Sequence, residues 1–131
     1  GNTTWHLSPI LEAATSGGLA ILDGIHRLPK GALAGILGRL LCDRCMMLSD
    51  GSRMVPHAQW ERWLEEGSFT EEDLRRRGFR RIHPGFRVIA TAEPARQDRE
   101  QNSWLDDELL TLFHFVEVSS LPHDEQLSLV R

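Results

Sequence analysis

A short apolar run that ends in an aspartate constrains the fold of this chain more than any other stretch. The four residues of 19–22 are apolar, Asp23 follows them directly, and Gly24 comes next as a turn-forming residue. Such a run predicts a strand over 19–23 that is buried on both faces, as in a parallel sheet. An aspartate at the carboxyl end of that strand lies where open α/β sheets bind their ligands. The alternative is a buried strand whose aspartate only caps the following turn.

Length and composition indicate one globular domain. The chain has 131 residues, of which 40% are hydrophobic and 26% charged, and this is enough to bury a substantial core. No apolar run approaches the roughly 20 residues that a membrane-spanning helix needs. The first residues are polar without a basic flank, so no signal peptide is expected, and the absence of an initial methionine suggests a piece of a larger protein. The net charge of −4 argues against a dedicated nucleic-acid-binding protein.

Arginines are concentrated in one region despite this acidic balance. Such a group is typical of a solvated helix face or of contacts with acidic neighbours. The alternative is a phosphate-binding surface, and its binding of nucleic acid would depend steeply on salt. The arginines concerned are Arg75, Arg76, Arg77, Arg80, Arg81 and Arg87.

The two cysteines, Cys42 and Cys45, form a Cys-x-x-Cys pair. Such a pair can be redox-active or can supply half of a zinc site. Here it follows an apolar helical pattern, and no second Cys or His pair comes later at zinc spacing. Reduced structural thiols in an intracellular compartment are therefore the expected state.

Two helices are predicted around the first strand. Ser8 is a suitable N-cap, Pro9 suits the first turn, and Glu12 could complete a capping box for a helix that Gly17 ends. Apolar residues at three- and four-residue spacing predict a second, amphipathic helix within 29–44. These residues are Leu33, Ile36, Leu37, Leu40 and Leu41.

A β-hairpin is predicted next. Asp50-Gly51 lies between the apolar stretches 45–48 and 53–55, and this dipeptide is the signal of a type I′ turn. After the hairpin, residues 58–78 read as two short helices.

The two short helices meet near Gly67, and Thr70 is the expected N-cap of the second. Trp60 and Trp63 lie at helical spacing on the first helix. This spacing is typical of a local core, while the alternative is a stacking platform for nucleic-acid bases.

The last part of the chain predicts a second buried strand over 86–92. A polar loop over 95–102 follows and is expected to be disordered. A helix over 106–112, a third strand over 113–118 and a closing helix over 122–130 complete the prediction. No internal repeat or change of composition divides the chain, so 1–131 is expected to be one domain.

Several short stretches follow one another in a recognisable order. They are Ser8-Pro9-Ile10, Ala13, Gly18, the run Leu19–Asp23 and the segment His83–Pro94. These stretches and the order of the predicted elements resemble the latter part of an AAA+ ATPase module of the MoxR, midasin and dynein-related type. The resemblance implies an α/β, three-layer P-loop NTPase fold with a mostly parallel sheet, a β-hairpin insertion and flanking helices. It also implies that the chain is a partial core subdomain that lacks the P-loop strand.

The resemblance assigns roles to five positions. Asp23 stands at the Walker B position, which holds Mg²⁺ through water, and Thr91 and Glu93 stand in the sensor-1 region. Gly24 takes the place of the usual catalytic glutamate, and Leu112 takes the place of the arginine finger. No catalytic group is therefore intact, and a degenerate site with little or no hydrolysis is expected.

The phosphate-binding loop is also missing, because no Gly-x-x-x-x-Gly-Lys-Ser/Thr occurs in the sequence. Binding of ATP and Mg²⁺ is thus expected only with an upstream P-loop. Without its strand the sheet has a gap, and the isolated chain is expected to be marginal, rearranged or completed by another segment. His26 could be a partner of the magnesium waters, or a turn residue with satisfied hydrogen bonds.

The resemblance further implies partners and a location. The expected partners are other AAA+ modules or subunits of a ring, with the hairpin facing the pore or a neighbouring subunit. The resemblance is strongest to a large mitochondrial protein with several such modules, which implies an intracellular, mitochondrial location. The alternative function is a non-catalytic module for protein–protein interaction and assembly in such a ring.

Overall fold

The structure is a computed structural model that describes residues 6–29, 31–94, 105, 107–119 and 122. Helices and short strands are interspersed along these residues, with a 3₁₀ turn over Ile25–Arg27. The helices are α1 (Pro9–Ser16), α2 (Ala32–Gly38), α3 (His57–Glu65), α4 (Glu71–Arg76) and α5 (Asp107–Leu112), and the strands are β1 (Leu19–Leu22), β2 (Met46–Met47), β3 (Arg53–Pro56), β4 (Phe79–Ile82) and β5 (Arg87–Ala90).

The strands of the described residues form two small sheets. In the first, β1 pairs with β5 in parallel, with Leu22 opposite Ala90. In the second, the order is β2-β3-β4, with an antiparallel β2–β3 pair and a parallel β3–β4 pair. Parallel strands, a hairpin and flanking helices confirm the predicted α/β class and agree with a partial AAA domain. No helix in the described part of the chain has both the length and the apolar character needed to cross a membrane.

The prediction that β1 is buried on both faces is wrong. Ala20 is buried, but Leu19 and Ile21 are 54% and 68% exposed, and Ile89 on β5 is 52% exposed. The described elements pack on the face that carries Ala20 and Val88, and none of them covers the opposite face. We call Leu19, Ile21 and Ile89 the exposed strip.

Helix α1 begins at Pro9, as predicted, but without the predicted capping box. The Ser8 side chain makes no capping hydrogen bond. In a capping box the partner stands three residues after the cap, and that residue is Leu11, whereas Glu12 lies one position too far along. Gly17 ends the helix in the left-handed conformation at φ 84°, as predicted.

Helix α2 continues through a wider π-helical turn over Arg39–Asp43 and ends at Arg44. This agrees with the predicted helix within 29–44. Its buried Leu33 and Leu37 pack with Ile25 and with Leu109 of α5.

The hairpin between β2 and β3 is present, but its turn is not type I′. That turn needs a positive φ at both Asp50 and Gly51, and only Gly51, at 83°, has one. The loop has three residues instead, closed by hydrogen bonds from Leu48 N to Ser52 O at 2.8 Å and from Gly51 N to Leu48 O at 3.0 Å. The Asp50 carboxylate accepts hydrogen bonds from the Ser52 hydroxyl and from Ser52 N, and these bonds lower the pKa of Asp50.

Helices α3 and α4 are inserted between the parallel strands β3 and β4 and have a hydrophobic cluster of their own. Trp60 is buried there with Val55 and Leu74, and the Trp63 ring lies edge-on against Phe79 at 5.2 Å. Trp60 is therefore a core residue and the partly buried Trp63 packs against the same cluster, as the helical spacing predicted.

Strand β4 has no counterpart in the sequence-based prediction. Arg80 and Arg81 lie at its centre, so it lacks the apolar alternation that indicates a strand. Its pairing with β3, which α3 and α4 make possible as the crossover, determines the strand.

The predicted strand over 113–118 is not formed, and its residues have no regular structure. Val116 and Val118 have exposed side chains. A strand needs a neighbour that satisfies its N–H and C=O groups, and no strand of the described residues pairs with this segment. The predicted loop over 95–102, and the predicted helix over 122–130 apart from residue 122, lie outside the described residues.

Thr70 caps α4, as predicted, in a reciprocal capping box. Its hydroxyl accepts from Asp73 N at 3.1 Å, and the Asp73 carboxylate accepts from Thr70 N at 3.1 Å. The hydrogen bond from the Thr70 hydroxyl to the Asp73 carboxylate, followed by that from Thr70 N, lowers the pKa of Asp73.

Replacing Thr70 by alanine is expected to cost about 1 kcal/mol of unfolding free energy, because the N–H of Asp73 loses its acceptor. Urea denaturation of both proteins measures this difference. NMR titration should show the pKa of Asp73 rising toward its ordinary value in the variant. A lowered folded-state pKa means that the contribution of Asp73 is present above the unfolded value and is lost as pH falls through the folded value. The control is Ser68→Ala, which leaves the cap intact, and equal stabilities of the two variants would contradict the assignment.

Candidate functional site

The parallel pairing of β1 and β5 brings Asp23 and Thr91 together at the carboxyl ends of the two strands. Thr91 N donates to Leu22 O at 2.9 Å, which extends the ladder beyond the last strand residue. The Thr91 hydroxyl then donates to Asp23 Oδ1 at 2.5 Å. Two side chains separated by 67 intervening positions therefore meet at the edge where open α/β sheets bind ligands.

The turn after Asp23 holds the main chain of Thr91. Gly24 N donates to both the carbonyl and the hydroxyl oxygen of Thr91, at 3.0 and 3.1 Å, and Ile25 N donates to the same carbonyl at 3.0 Å. The Thr91 hydroxyl thus accepts a hydrogen bond from Gly24 N and donates one to Asp23. These bonds orient the Asp23 carboxylate relative to the neighbouring strand.

Gly24 is required by this turn. Its φ of 74° lies in the left-handed region, and a Cβ placed on it would lie 3.1 Å from the Arg27 guanidinium. A glutamate, the residue usual here by resemblance, would be strained in this conformation. Gly24 itself has no side chain that could accept a proton from water.

His26 links the same turn to Glu93. The Glu93 N–H donates to His26 Nδ1 at 3.1 Å, and His26 Nε2 lies 3.7 Å from Glu93 Oε1. The His26 side chain is 17% exposed and that of Glu93 is 71% exposed. Of the two alternatives for His26, these contacts favour the turn residue with satisfied hydrogen bonds.

The link between His26 and Glu93 is the part of the site that sequence reasoning missed. The available signal was positional, because His26 follows one predicted strand end and Glu93 follows the other. Parallel neighbours bring such segments to the same edge of a sheet.

The oxygen donors at this edge suit a hard cation held through water. Asp23 is exposed, and carboxylate and hydroxyl oxygens are the ligands that Mg²⁺ prefers. A carboxylate has about four acceptor positions, and the bond from Thr91 uses one of them. Among the described residues no group of three or more His, Cys, Asp or Glu gathers as a metal site, so a direct cage of side chains is not offered there.

Leu112 lies at the end of α5 and packs into the hydrophobic cluster of α2 and α5. A Cβ placed on Gly38 would lie 3.8 Å from Leu112 Cδ2. Leu112, which the resemblance aligns with the arginine finger, therefore has an apolar side chain packed against a helix.

The concentrated arginines lie outside this edge and have partners within the chain. Arg75 and Arg76 pair with Glu71 and Glu72, each at 3.0 Å, as a solvated helix face predicts. The remaining contacts are Arg81 with Glu61 at 3.0 Å, Arg80 with Asp50 at 4.0 Å, Arg77 over the Phe69 ring at 4.7 Å, and Arg87 with the carbonyls of Pro84 and Phe86 at 2.8 Å.

Cys42 and Cys45 are free and exposed. Cys42 lies in the π-helical turn, and Cys45 follows it, with Cys45 N donating to Arg39 O at 3.1 Å.

Comparisons with known proteins identify the family. A family model described as AAA domain (dynein-related subfamily) matches residues 1–113. The chain is also 40% identical over 131 residues to von Willebrand factor A domain-containing protein 8 of Mus musculus, a match that covers 100% of this chain and 7% of the mouse protein. The chain thus spans a small part of the length of that relative, and no solved structure gives a significant match. The chain belongs to the dynein-related subfamily of AAA domains.

Proposed function

We propose that this chain contributes the Walker B and sensor-1 regions of an AAA module that binds Mg-ATP. Asp23 would hold Mg²⁺ through water, and Thr91 and Glu93 would face the nucleotide from the neighbouring strand end. The observation that carries the proposal is the hydrogen bond from Thr91 to Asp23 at the shared edge of β1 and β5. AAA domains generally bind nucleotide, so family membership supports the same site.

When bound, Mg²⁺ would offset the negative charge of the phosphates, and Asp23 would help to hold the ion through water. This chain would supply the Asp23 carboxylate, held in a fixed orientation, as an acceptor for the water bound to the ion. The Thr91 hydroxyl and the turn at Gly24 provide that orientation. The triphosphate needs a phosphate-binding loop that this sequence does not contain, and in the family that loop lies upstream.

Hydrolysis at this site is expected to be weak or absent. Gly24 supplies no base for the attacking water, and Leu112 supplies no cation for the transferred phosphoryl group. An arginine finger alone is worth roughly 10³–10⁵ in rate. The proposed site therefore holds nucleotide without efficient turnover.

A direct test is Mg-ATP binding by a longer chain that includes the upstream phosphate-binding loop. Isothermal titration calorimetry is expected to show saturable binding, while phosphate release stays close to background. The 131-residue chain serves as the control, and it should bind much more weakly. If the longer chain is folded and binds no Mg-ATP, the proposal is wrong. Hydrolysis by the whole protein does not decide the question, because other modules could supply it.

A second candidate function is a non-catalytic module for assembly with other AAA+ modules or subunits of a ring. The observation that favours it is that neither Gly24 nor Leu112 has a side chain that could act in catalysis. Gly24 forms a turn, and Leu112 packs in a hydrophobic cluster. A longer chain that joins a ring but binds no nucleotide would support it. Two expectations from the resemblance belong with the first proposal instead. The hairpin would face the ring pore or a neighbouring subunit, and the location would be intracellular and mitochondrial.

A further inference from the structure

Strand β4 is an edge strand, and its outer side pairs with no strand of the described residues. Arg53 N donates to Gly78 O at 2.8 Å, and the main-chain groups of successive strand residues point to opposite sides. The even-numbered residues of β4 therefore face β3, whereas Phe79 and Arg81 present their N–H and C=O groups on the outer side. In the described part of the chain, no main-chain group forms a hydrogen bond with them there.

A cleft of about 320 Å³ follows this free edge. Residues 78–81 line it together with Thr15 of α1, Trp60 of α3 and Arg75 of α4. No residue of β3 contributes to the lining, which places the cleft on the outer side of β4. The unpaired main-chain groups therefore face a cleft between helices.

The wall of the cleft contains a donor without an acceptor. Trp60 is 3% exposed, and its Nε1 has no hydrogen-bond partner among the described residues. Buried polar atoms without a partner are uncommon in folded proteins. The free strand edge and this indole N–H thus lie at the same cleft, and both lack partners within the described residues.

The charged side chains that line the cleft are mainly positive. They are Arg75, Arg80, Arg81 and Glu71. Each of the three arginines has a carboxylate neighbour within the chain, at 3.0 or 4.0 Å, and each side chain is at least 34% exposed. A guanidinium has five N–H donors, so one such contact leaves donors for a further acceptor. Carboxylates are the acceptors that bind arginine most strongly in proteins, together with phosphates.

We infer that the cleft beside β4 binds an extended, acidic peptide segment of a partner protein, which adds a strand to the free edge. The main-chain groups of Phe79 and Arg81 pair with the segment, and the arginines bind its carboxylates. In strand addition of this kind, main-chain hydrogen bonds supply affinity and alternate side chains supply specificity. The inference is independent of the proposed nucleotide site, because no residue of β1 or β5 lines the cleft.

The first experiment measures binding of a fluorescent six-residue peptide in which valine alternates with glutamate. It uses the longer chain of the Mg-ATP test, and fluorescence anisotropy is expected to show saturable binding that weakens as salt is added. One control peptide carries lysine in place of glutamate, and a second carries a methyl group on every main-chain nitrogen. Both should bind at least about tenfold more weakly, because the first reverses the charge and the second cannot donate to a strand edge.

The second experiment locates the peptide by hydrogen exchange and mass spectrometry. Saturating glutamate peptide is expected to slow exchange over residues 79–83 about tenfold, because the free amides gain acceptors. Strand β3 is paired on both sides and serves as the internal reference, with unchanged exchange. Binding without slower exchange over 79–83 would overturn the inference of strand addition.

Arg75→Gln and Arg76→Gln form a matched pair on α4. Both arginines bind a glutamate four residues earlier at 3.0 Å, and their side chains are 72% and 70% exposed, but only Arg75 lines the cleft. Arg75→Gln is expected to weaken the glutamate peptide about three- to fivefold, as for the loss of one exposed ion pair. Arg76→Gln should change the affinity less than about 1.5-fold. Equal weakening by both variants would show only an effect of net charge and would contradict the assignment.

The remaining outcomes each overturn the inference. If no peptide binds, the arginines only protect the edge from association. Equal binding of the lysine peptide would exclude an acidic partner. Tighter binding of a single-stranded oligonucleotide than of the glutamate peptide would assign the arginines to nucleic acid. Failure of Mg-ATP binding would remove the proposed function and leave the peptide result unaffected.

Discussion

Replacing Phe86 by alanine is expected to destabilise this fold by about 3–5 kcal/mol, the range observed for large-to-small changes of buried aromatic residues. The Phe86 ring is fully buried in the cluster that joins α1 to both sheets. Arg44 packs over it, with the guanidinium carbon 5.4 Å from the ring centroid, and also donates to the Phe86 carbonyl at 3.2 Å. Natural domains have about 5–15 kcal/mol in total, so the variant should be largely unfolded on mild heating. Circular dichroism with urea or heat measures the loss.

The matched control is Phe115→Ala, at an exposed residue of the segment without regular structure. Its expected cost is about 0.5–1.5 kcal/mol, because the residue is exposed and its ring meets that of Phe113 edge-on at 6.4 Å. Phe86→Leu fills much of the volume and should lie between the two. Equal stabilities of Phe86→Ala and Phe115→Ala would contradict the placement of Phe86 in the core.

Replacing Asp23 by alanine in the longer chain is expected to weaken Mg-ATP binding about 10- to 100-fold. The basis is the 1.5–3 kcal/mol typical of hydrogen bonds to charged groups, here those from magnesium-bound water. Calorimetric titration with Mg-ATP measures the change. Folding should be little affected, because the carboxylate is exposed and its bond to Thr91 lies at the surface.

Asp43→Ala is the control for net charge, since Asp43 is also exposed but lies at the end of the π-helical turn. It should leave the affinity unchanged. Asp23→Ala is also expected to reduce the dependence of ATP affinity on Mg²⁺ concentration. If the variant binds Mg-ATP as tightly as the unaltered chain, Asp23 does not hold the ion.

The strands of the first sheet and the ends of its neighbouring helices could be predicted from local signals. An apolar run before Asp23 predicted β1, a second apolar run predicted β5, and Pro9 and Gly17 indicated the ends of α1. These signals act within a few residues and need no knowledge of the partner element. The same holds for Thr70, whose cap depends on a residue three positions later.

Features that depend on distant neighbours could not be predicted in this way. Strand β4 is recognisable only from its pairing with β3, since two arginines interrupt its pattern. The apolar run of β1 indicated burial, but burial requires an element on each face, and the described residues provide one on a single face. The segment 113–118 has the composition of a strand, but no strand among the described residues lies beside it to form hydrogen bonds with its main chain.

The candidate site was predictable in part for the same reason. Strand ends that are parallel neighbours meet at one edge, so Asp23 and the segment from Thr91 to Glu93 could be placed together before the structure was known. The specific contacts could not, because the ring of His26 reaches Glu93 across a distance in sequence that no spacing rule covers. The turn at Gly24 determines which atoms of His26 and of the segment from Thr91 to Glu93 come into contact.

The exposed strip has a consequence for how this chain behaves at high concentration. In the described part of the chain, β1 and β5 pair only with each other, so each presents one row of unpaired N–H and C=O groups beside apolar side chains. Such edges act as templates for strand addition by other molecules, and apolar strips of this kind promote self-association. Ile21 is the most exposed residue of the strip. Replacing it by lysine would place a positive charge on the strip and so oppose the association of neighbouring copies.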